Sequence, residues 1–171
     1  MKEIKSVPLT QKDLSKLLSY EPDTGTFIWL KPALRSRAKP GDEAGKIDHS
    51  GYRSIKINQK DYLGHRLAWL YAHGYWPSTA IDHINGCRSD NRISNLRLAT
   101  ESQNQSNRRI GRNNTSGFKG VSWSKKRKAW IARITFAGIQ HQIGAFRNAE
   151  EAAAAVMAAR PIFHGEFACH G

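Results

Sequence analysis

Residues 81–107 read IDHINGCRSDNRISNLRLATESQNQSN. Asp82 and His83 follow a short apolar approach, and a turn-rich segment comes directly after them. A short strand-like run is next, and a carboxamide-rich segment suited to opening a helix closes the stretch. A strand, loop, strand and helix in this order predict that Asp82, His83 and Asn104 lie close together. Asn95 then falls in the connecting loop.

This set of side chains is suited to metal-assisted phosphodiester hydrolysis. A hard divalent cation prefers oxygen ligands, which a carboxylate and a carboxamide carbonyl supply. The positions that remain open accept water and phosphate oxygens, so the cation can stabilise a leaving oxygen. An adjacent imidazole has an ordinary pKa near 6.5, and it is suited to take a proton from the attacking water. A carboxamide can orient the ring through its second nitrogen.

The spacing of Asp82-His83, Asn95 and Asn104, with DNRISNL at 90–96 between them, resembles the HNH endonuclease motif. The closest resemblance is to the branch found in phage and intron-encoded homing endonucleases. The resemblance implies a ββα-metal finger, with Asp82 and Asn104 as metal ligands and His83 as general base. It also implies that Asn95 orients the base. Asn replaces the usual final His, so we expect magnesium or manganese rather than zinc.

The composition points to a polyanionic partner. The chain has 171 residues, a net charge of +13 and a sequence pI near 10.1. An anionic membrane surface would also attract this charge, but no apolar run approaches the roughly 18 residues needed to span a bilayer. The N-terminus lacks a signal-peptide core. We therefore expect double-stranded DNA as the partner, no membrane, and no obligate protein partner.

The two cysteines match neither a zinc motif nor a disulfide pattern. Cys87 and Cys169 are far apart, with no CxxC pair. Two free thiols indicate a reducing cytoplasm, and the resemblance implies a phage protein in a bacterial host.

The first half of the chain predicts several short elements before the motif. They are a helix capped by Thr10 that runs to Leu18, a strand Phe27–Leu30, a basic loop at 31–46, a hairpin with its turn at Asn58-Gln59, and a helix from His65 that ends at Gly74. We expect His65 and His73 to pack or cap this helix rather than bind metal.

The second half carries one-sided charge. No Asp or Glu occurs from Ser102 to Ala149, whereas Lys and Arg recur throughout the window. Such a surface suits phosphates, and binding should weaken steeply with salt. We interpret 108–114 as a basic linker that tracks DNA through Arg108, Arg109 and Arg112.

A second module follows the linker. The pattern predicts three antiparallel strands, at 120–123, 130–136 and 140–146, and then an alanine-rich helix Ala149–Arg160. Asn148 and Glu151 form a capping-box pattern at its start. The tail from Pro161 is predicted to pack back on the sheet.

The runs GFKGV (117–121), WIARI (130–134), GAF (144–146) and AEEAA (149–153) resemble the plant APETALA-type, or ethylene-response-factor, DNA-binding domain. That resemblance implies a sheet laid in the major groove. By position, the candidates on its DNA-facing side are Lys119, Trp123, Lys125, Arg127, Trp130, Arg133 and Gln142. Ser122 and Thr135 replace Arg residues usual in the family, so base specificity cannot be carried over. Trp123 and Trp130 belong either to the binding face or partly to the core.

Taken together, these patterns predict an α+β protein. A ββα-metal nuclease region covers 1–107, and a three-stranded antiparallel sheet packed on one helix covers 115–167. The activity that the resemblance implies is site-specific cleavage of DNA phosphodiesters by a homing endonuclease. A DNA-binding regulator with a vestigial nuclease core is the alternative, and RNA binding or cleavage is a third. The target sequence, nicking against double-strand cleavage, and the oligomeric state are not readable from the sequence.

Overall fold

The structure, a computed structural model, describes residues 8–32, 37–106, 110 and 113–167. The chain divides into two units, with the boundary between Leu98 and Ala99. Both units combine short strands with helices, and the described residues include four α-helices. The predicted mixture of helices and small antiparallel sheets is confirmed at this level.

The first unit contains small sheets that pair β1 with β2, then β3, β4 and β5 in that order, then β6 with β7. Its elements are α1 Gln11–Leu17, β1 Leu18–Glu21, β2 Thr26–Trp29, β3 Lys46–Ile47, β4 Arg53–Ile57, β5 Lys60–Leu63, α2 Gly64–His73, β6 Ala80–His83, a 3₁₀ turn Ile93–Asn95 and β7 Leu96–Ala99.

Local chemistry explains several of these boundaries. The Thr10 hydroxyl accepts a hydrogen bond from the Asp13 backbone N–H at 3.2 Å, which satisfies a donor at the start of α1. Asn58 and Gln59 both adopt positive φ, at 49° and 67°. Two such residues match the turn that suits the twist of a two-residue hairpin. The predicted cap and hairpin are confirmed, and α2 ends before Gly74 as expected.

The N-terminal hairpin differs from the prediction. Leu18 was expected on α1, but it begins β1 and pairs with Trp29. Leu18 and Tyr20 are buried on one face of this four-residue strand, and that burial outweighs the helical spacing. The predicted loop at 31–46 is partly wrong as well. Trp29 donates to the Asp42 carbonyl at 2.9 Å, so this part of the loop is tied to β2.

The core of the first unit lies between α1, α2 and the two N-terminal sheets. The largest apolar side chains that are fully buried in it are Phe27, Leu14, Leu18, Ile55, Leu67 and Leu70. Burial of each such side chain contributes roughly 1.5–3 kcal/mol. The same cluster includes Ile81 of β6 and Leu96 of β7, so the core holds both strands that flank the loop at 84–95.

The second unit is a sheet covered by a helix. Its elements are α3 Glu101–Ser106, β8 Val121–Ser124, β9 Ala129–Phe136, β10 Ile139–Phe146, α4 Ala149–His164 and a 3₁₀ turn Gly165–Phe167. The strands are antiparallel, in the order β10-β9-β8. The helices of the described segments are all too short or too polar to cross a membrane.

The register of this sheet assigns side chains to its two faces. Val121 pairs with Ala132, and Trp123 pairs with Trp130. Val121 and Ala132 pack with Val156 of α4, so their face is the one the helix covers. The neighbours between them in sequence therefore face the opposite side of the sheet, away from α4, where Ser122 is exposed and Ile131 is buried; we call this side the open face.

Helix α4 begins as predicted but ends later. The Glu151 backbone N–H donates to the Asn148 side-chain oxygen at 2.8 Å, which confirms the cap. The prediction that the helix stops before Pro161 is wrong, because α4 continues to His164. A proline in a helix removes one backbone hydrogen bond. The packing of Phe163 on the second core offsets that loss.

Gly25 is the tightest glycine of the first unit and yields a test of its packing. Its φ is +73°, and an added Cβ would lie 2.4 Å from the Arg92 backbone nitrogen. Gly41 has a similar φ of +93°, but no described atom lies within 4 Å of an added Cβ. Both substitutions to alanine carry the backbone strain, and only Gly25→Ala adds a clash.

We expect Gly41→Ala to lower the free energy of unfolding by about 1 kcal/mol. Gly25→Ala should lower it by about 3 kcal/mol or more, since overpacking adds to the same strain. Urea unfolding followed by circular dichroism measures both variants. Equal losses would show that the turn moves away from Arg92 without cost.

Candidate active site

The end of β6 presents two buried polar side chains in succession. Asp82 is 3% exposed and His83 is 5% exposed. β6 pairs with β7, and the Ile84 N–H donates to the Asn95 carbonyl at 2.9 Å where the two strands separate. The two residues therefore lie at the mouth of a hairpin whose connection runs from Ile84 to Asn95.

Arg97 of β7 neutralises the Asp82 carboxylate. Its Nη2 lies 2.7 Å from Asp82 Oδ2, and its Nε donates to the same oxygen at 2.9 Å. The Asp82 side chain is 4% exposed and that of Arg97 is 16% exposed, so the pair is largely shielded from water. The strand pairing of β6 with β7 thus fixes a charge pair next to His83.

His83 is enclosed by aromatic rings and one amide. Its ring centroid lies 5.1 Å from that of His65 and 5.9 Å from that of Tyr52. Its Nε2 lies 3.4 Å from Asn91 Oδ1. Burial lowers the pKa of His83, and the Asn91 hydrogen bond opposes part of that shift. The imidazole is therefore neutral at neutral pH and able to accept a proton.

His65, near the start of α2, is a second buried imidazole. Burial, with a smaller effect from the nearby His83, lowers its pKa to about 3. Within the described part of the chain, no group hydrogen-bonds to its Nδ1. Because a neutral His65 adds no charge, it can lie against His83 without repelling a proton taken up there.

Asn95 holds the loop between the strands together. Its amide nitrogen donates to the Asp90 carbonyl at 2.9 Å and to Asn85 Oδ1 at 3.1 Å. Its side-chain oxygen accepts from the Asn85 N–H at 3.0 Å. These bonds place Asn95 at the base of the loop. Its role in orienting His83 stays a prediction.

Asp90 closes the same loop through an ion pair. Arg92 Nη2 lies 2.6 Å from Asp90 Oδ2, and Asn85 donates to the same oxygen at 2.7 Å. The hydrogen bonds from Arg92 lower the pKa of Asp90 to about 2. Its carboxylate therefore stays ionised and stabilises the turn through its contacts with Arg92 and Asn85.

Asn104 lies on α3, which belongs to the second unit. Its backbone N–H donates to the Thr100 carbonyl at 3.0 Å, and its side chain is half-buried. The strand, loop, strand and helix follow one another as predicted. The packing of α3 on the hairpin, which a ββα-metal finger requires, stays a prediction.

The oxygen donors that the motif offers suit a hard divalent cation in their chemistry. Asp82 supplies a carboxylate, and a carboxamide is the second oxygen donor that the motif offers. No group of three or more His, Cys, Asp or Glu side chains able to hold a metal occurs among the described residues. A metal at Asp82 would therefore rely on few protein ligands, and it would share the carboxylate with Arg97.

In the second unit, part of the predicted DNA-binding set lies on the open face of the sheet. Arg133 pairs with Gln142 across β9 and β10, opposite the helix. Arg127 Nη1 donates to Gln142 Oε1 at 3.1 Å. Lys125 is exposed in the turn before β9. Arg127, Arg133 and Gln142, with Lys125 in the adjoining turn, are a basic, amide-containing set, which we call the open-face strip (Lys125, Arg127, Arg133 and Gln142).

Other members of the predicted set lie elsewhere. Trp123 and Trp130 are on the helix-covered side, with ring centroids 5.3 Å apart, and Trp130 packs against the second core. The Lys119 carbonyl accepts a hydrogen bond from Arg160 at 2.7 Å. Arg108, Arg109 and Arg112 lie outside the described residues.

Sequence reasoning missed three residues that touch the site. They are Asn91, Arg97 and Tyr52. A weak signal existed for Arg97, since a charged residue within a short buried strand needs a partner. Asn91 lies in the quoted motif, but nothing in its spacing distinguishes it from a turn residue. Tyr52 is distant in sequence and gave no signal.

Comparison with known proteins places the site within a recognised segment. Residues 62–106 match a family model described as HNH endonuclease. The chain is 39% identical over 117 residues to Protein 3.8 of Escherichia phage T7, and the alignment covers 68% of this chain and 96% of that protein. No solved structure matches the chain. The matched segment includes α2, β6 and β7.

The Asp82–Arg97 pair leads to a stability prediction. Arg97→Met keeps the apolar stem and leaves the buried carboxylate without its guanidinium, so the free energy of unfolding should fall by about 3 kcal/mol. The exposed pair Lys56–Asp61, at 3.6 Å, provides a control. Lys56→Met should cost less than about 1 kcal/mol.

Urea unfolding of both variants measures the difference. The same Arg97→Met change in an Asp82→Asn background should cost much less, because the buried charge is then gone. An unchanged cost in that background would show that Arg97 stabilises the fold by packing alone.

Proposed function

Because the chain belongs to the family of Protein 3.8 of Escherichia phage T7 and contains an HNH endonuclease domain at residues 62–106, we propose that it is a metal-dependent DNA endonuclease. The observation that carries the proposal is the neutral His83 beside the Asp82 carboxylate at the end of β6. A base and a metal ligand in adjacent positions are what hydrolysis of a phosphodiester requires.

His83 acts as the general base. Its lowered pKa keeps the ring neutral, so it accepts a proton from the water that attacks phosphorus. The water oxygen bonds to phosphorus as the bond to the 3′ oxygen breaks, and solvent returns a proton to that oxygen. The products are a 5′-phosphate and a 3′-hydroxyl.

Asp82 and Asn104 would hold the cation, with magnesium or manganese suited to their oxygen atoms. A divalent cation, when bound there, supplies positive charge that stabilises the departing 3′ oxygen. Arg97 holds the Asp82 carboxylate in one orientation. It therefore presents the oxygen atoms of Asp82 in a fixed place, and it competes with the metal for their charge.

The second unit would read DNA. The open-face strip combines three cationic side chains with the Gln142 amide, and arginine and glutamine can address guanine and adenine edges. The sheet of three strands under one helix supports the resemblance to an APETALA-type domain. We propose a nuclease region at 1–107, a basic linker at 108–114 and a DNA-binding domain at 115–167.

We further propose that the protein is a site-specific homing endonuclease that acts in the cytoplasm of a bacterial host. The similarity to a phage protein supports this setting. One HNH segment supplies one cleavage site per chain, so a monomer should nick one strand.

One observation favours a second candidate, a DNA-binding regulator with a vestigial nuclease core. Arg97 already neutralises Asp82, so the buried carboxylate needs no metal to be stable. In such a protein the open-face strip would bind DNA, and the hairpin of β6 and β7 would serve as structure.

Cleavage of supercoiled DNA distinguishes the two candidates. With magnesium or manganese, the wild type should convert supercoiled DNA to the nicked form, and a chelator should stop it. His83→Ala should lower the rate by about a hundredfold or more. His73→Ala is the control, since that ring packs on Trp69 at the end of α2, away from the motif.

Equal cutting by wild type and His83→Ala would overturn the assignment of the base. Duplex binding by both proteins without cutting, on DNA that includes the native target, would favour the regulator.

The open-face strip yields a separate binding prediction. Arg133→Ala should weaken duplex binding and reduce the slope of affinity against salt by about one charge. Arg147→Ala removes the same charge outside the strands, next to the Asn148 cap, and should change that slope little. Fluorescence anisotropy with labelled duplex over a range of salt measures both. Equal effects would indicate nonspecific attraction by net charge.

A further inference from the structure

We propose that Arg127 and Gln142 act as one base-reading unit, which presents hydrogen-bond donors to the DNA and therefore selects guanine over adenine. This selection rests on the proposed binding of duplex DNA to the open face, and it names the base that one part of the face accepts. A glutamine that acts alone reads adenine with both atoms of its amide. The contact with Arg127 gives the Gln142 amide a different role.

The hydrogen bond between the two side chains fixes which way the amide of Gln142 points. Arg127 Nη1 lies 3.1 Å from Gln142 Oε1. A guanidinium group only donates hydrogen bonds, so the amide atom that faces it must be the oxygen. The amide NH₂ group is then on the far side of the amide carbon. In the described part of the chain that group makes no hydrogen bond, so its protons are available to a ligand.

The strand register shows the course of the Arg127 side chain. Gln142 of β10 pairs with Arg133 of β9. Arg127 lies in the turn before β9, which begins at Ala129. Ile131 lies midway between Ala129 and Arg133 and on the same face as Arg133, because side chains alternate along a strand. To reach Gln142, the Arg127 side chain therefore extends along the open face past Ile131.

The burial of Ile131 agrees with this course. Ile131 is 1% exposed, although it faces away from α4 and is not part of the core that the helix covers. Its strand partners Ser122 and Ala145 are small and exposed, so they do not cover it. The apolar stem of Arg127, which passes this position, accounts for the cover. The guanidinium is thereby held along the sheet before any ligand binds.

The pair offers donors where a base edge would lie. Arg127 keeps the other N–H groups of its guanidinium, Gln142 keeps its amide NH₂, and both side chains are exposed. In the major groove guanine presents two acceptors, N7 and O6, whereas adenine presents one acceptor and one donor. A row of donors matches the guanine edge. The adenine amino group would instead face a guanidinium, which has no acceptor to offer.

The charge around the pair favours duplex DNA as the occupant of this face. No Asp or Glu occurs from Ser102 to Ala149. Lys125 and Arg133 are the neighbours of the pair in the open-face strip. These cations suit the phosphates on either side of a base pair, and such contacts position a protein while the base contacts specify the sequence.

The test selects binding sites from random duplexes with the full-length protein, in a chelator so that no DNA is cut. At one base pair the wild type should prefer guanine over adenine by about tenfold. Arg127→Ala and Gln142→Leu should each reduce that preference to less than about twofold at the same base pair. The double variant should lose no more than either single variant, because the two side chains act together.

Gln140→Ala is the matched control. Gln140 lies on the same strand and the same face, opposite Thr135, and its side chain makes no hydrogen bond to another described residue. This variant should leave the guanine preference unchanged. A duplex with 7-deazaguanine at the selected position lacks the N7 acceptor. It should bind the wild type about tenfold more weakly than the guanine duplex, and Arg127→Ala less than about twofold more weakly.

Adenine at the position that Gln142→Leu affects, with no effect of Arg127→Ala, would overturn the inference, since Gln142 would then read the base alone. A preference that neither variant changes would leave the pair as cover for Ile131 and would refute base reading by it. If Gln142→Leu fails to fold, Gln142→Glu replaces it. That change keeps an acceptor for Arg127 and removes the donors, so the guanine preference should still fall.

The proposed function and this inference fail in distinguishable ways. If the wild type binds no duplex, the proposed DNA-binding function is wrong and the inference falls with it. If the wild type selects a sequence whose bases do not depend on Arg127 or Gln142, DNA binding stands and the inference alone is wrong.

Discussion

Burial of Asn91 against the N-terminal hairpin is the constraint on which the candidate site depends. The connection between β6 and β7 is polar and turn-rich, and such segments are usually exposed and variable in shape. Here its middle is drawn into the core by the Tyr20 hydroxyl and by close packing on Gly25 and Gly64. Without that anchor the loop could still form its internal bonds, but it would not be fixed relative to His83.

Electrostatics in the site follow from the same burial. A carboxylate removed from water is costly unless it is paired, and Arg97 supplies the pair for Asp82. An imidazole removed from water loses its proton more readily, which applies to His83 and still more to His65. The site thus contains a neutral base beside a neutralised acid. This arrangement is compatible with both candidate functions, the nuclease and the DNA-binding regulator. The affinity of Asp82 for a metal ion is the property that distinguishes them.

The sequence predicted the parts of the molecule whose determinants are local. Caps at Thr10 and Asn148, the turn at Asn58-Gln59 and the strands of the second unit need only neighbouring residues, and they were placed nearly correctly. The adjacent residues Asp82 and His83 were placed together on a strand for the same reason.

What the sequence could not provide depends on contacts between distant segments. Leu18 became a strand residue because of its partner Trp29 and the core, and α4 passed Pro161 because Phe163 packs beneath the sheet. Tyr52 reaches His83 from another part of the chain, and Asn91, in the same loop as His83, is held by the distant residues Tyr20 and Gly25. A pattern of residue types within one window has no access to such pairings, which is why the loop asparagine could not be told from a turn former.

The hydrogen bond from Tyr20 to Asn91 joins residues 71 positions apart, and Trp76 reaches back over 67 positions to the Leu9 carbonyl. Contacts of this span close large loops, and they form late and slowly in folding. During synthesis, the hydrogen bond from Tyr20 cannot form until the loop between β6 and β7 has emerged. The segment 62–106 therefore depends on contacts with the N-terminal residues for its structure. If this segment were moved to another protein without the first thirty or so residues, it would lose the contacts of Tyr20 and Gly25 that hold Asn91 in place.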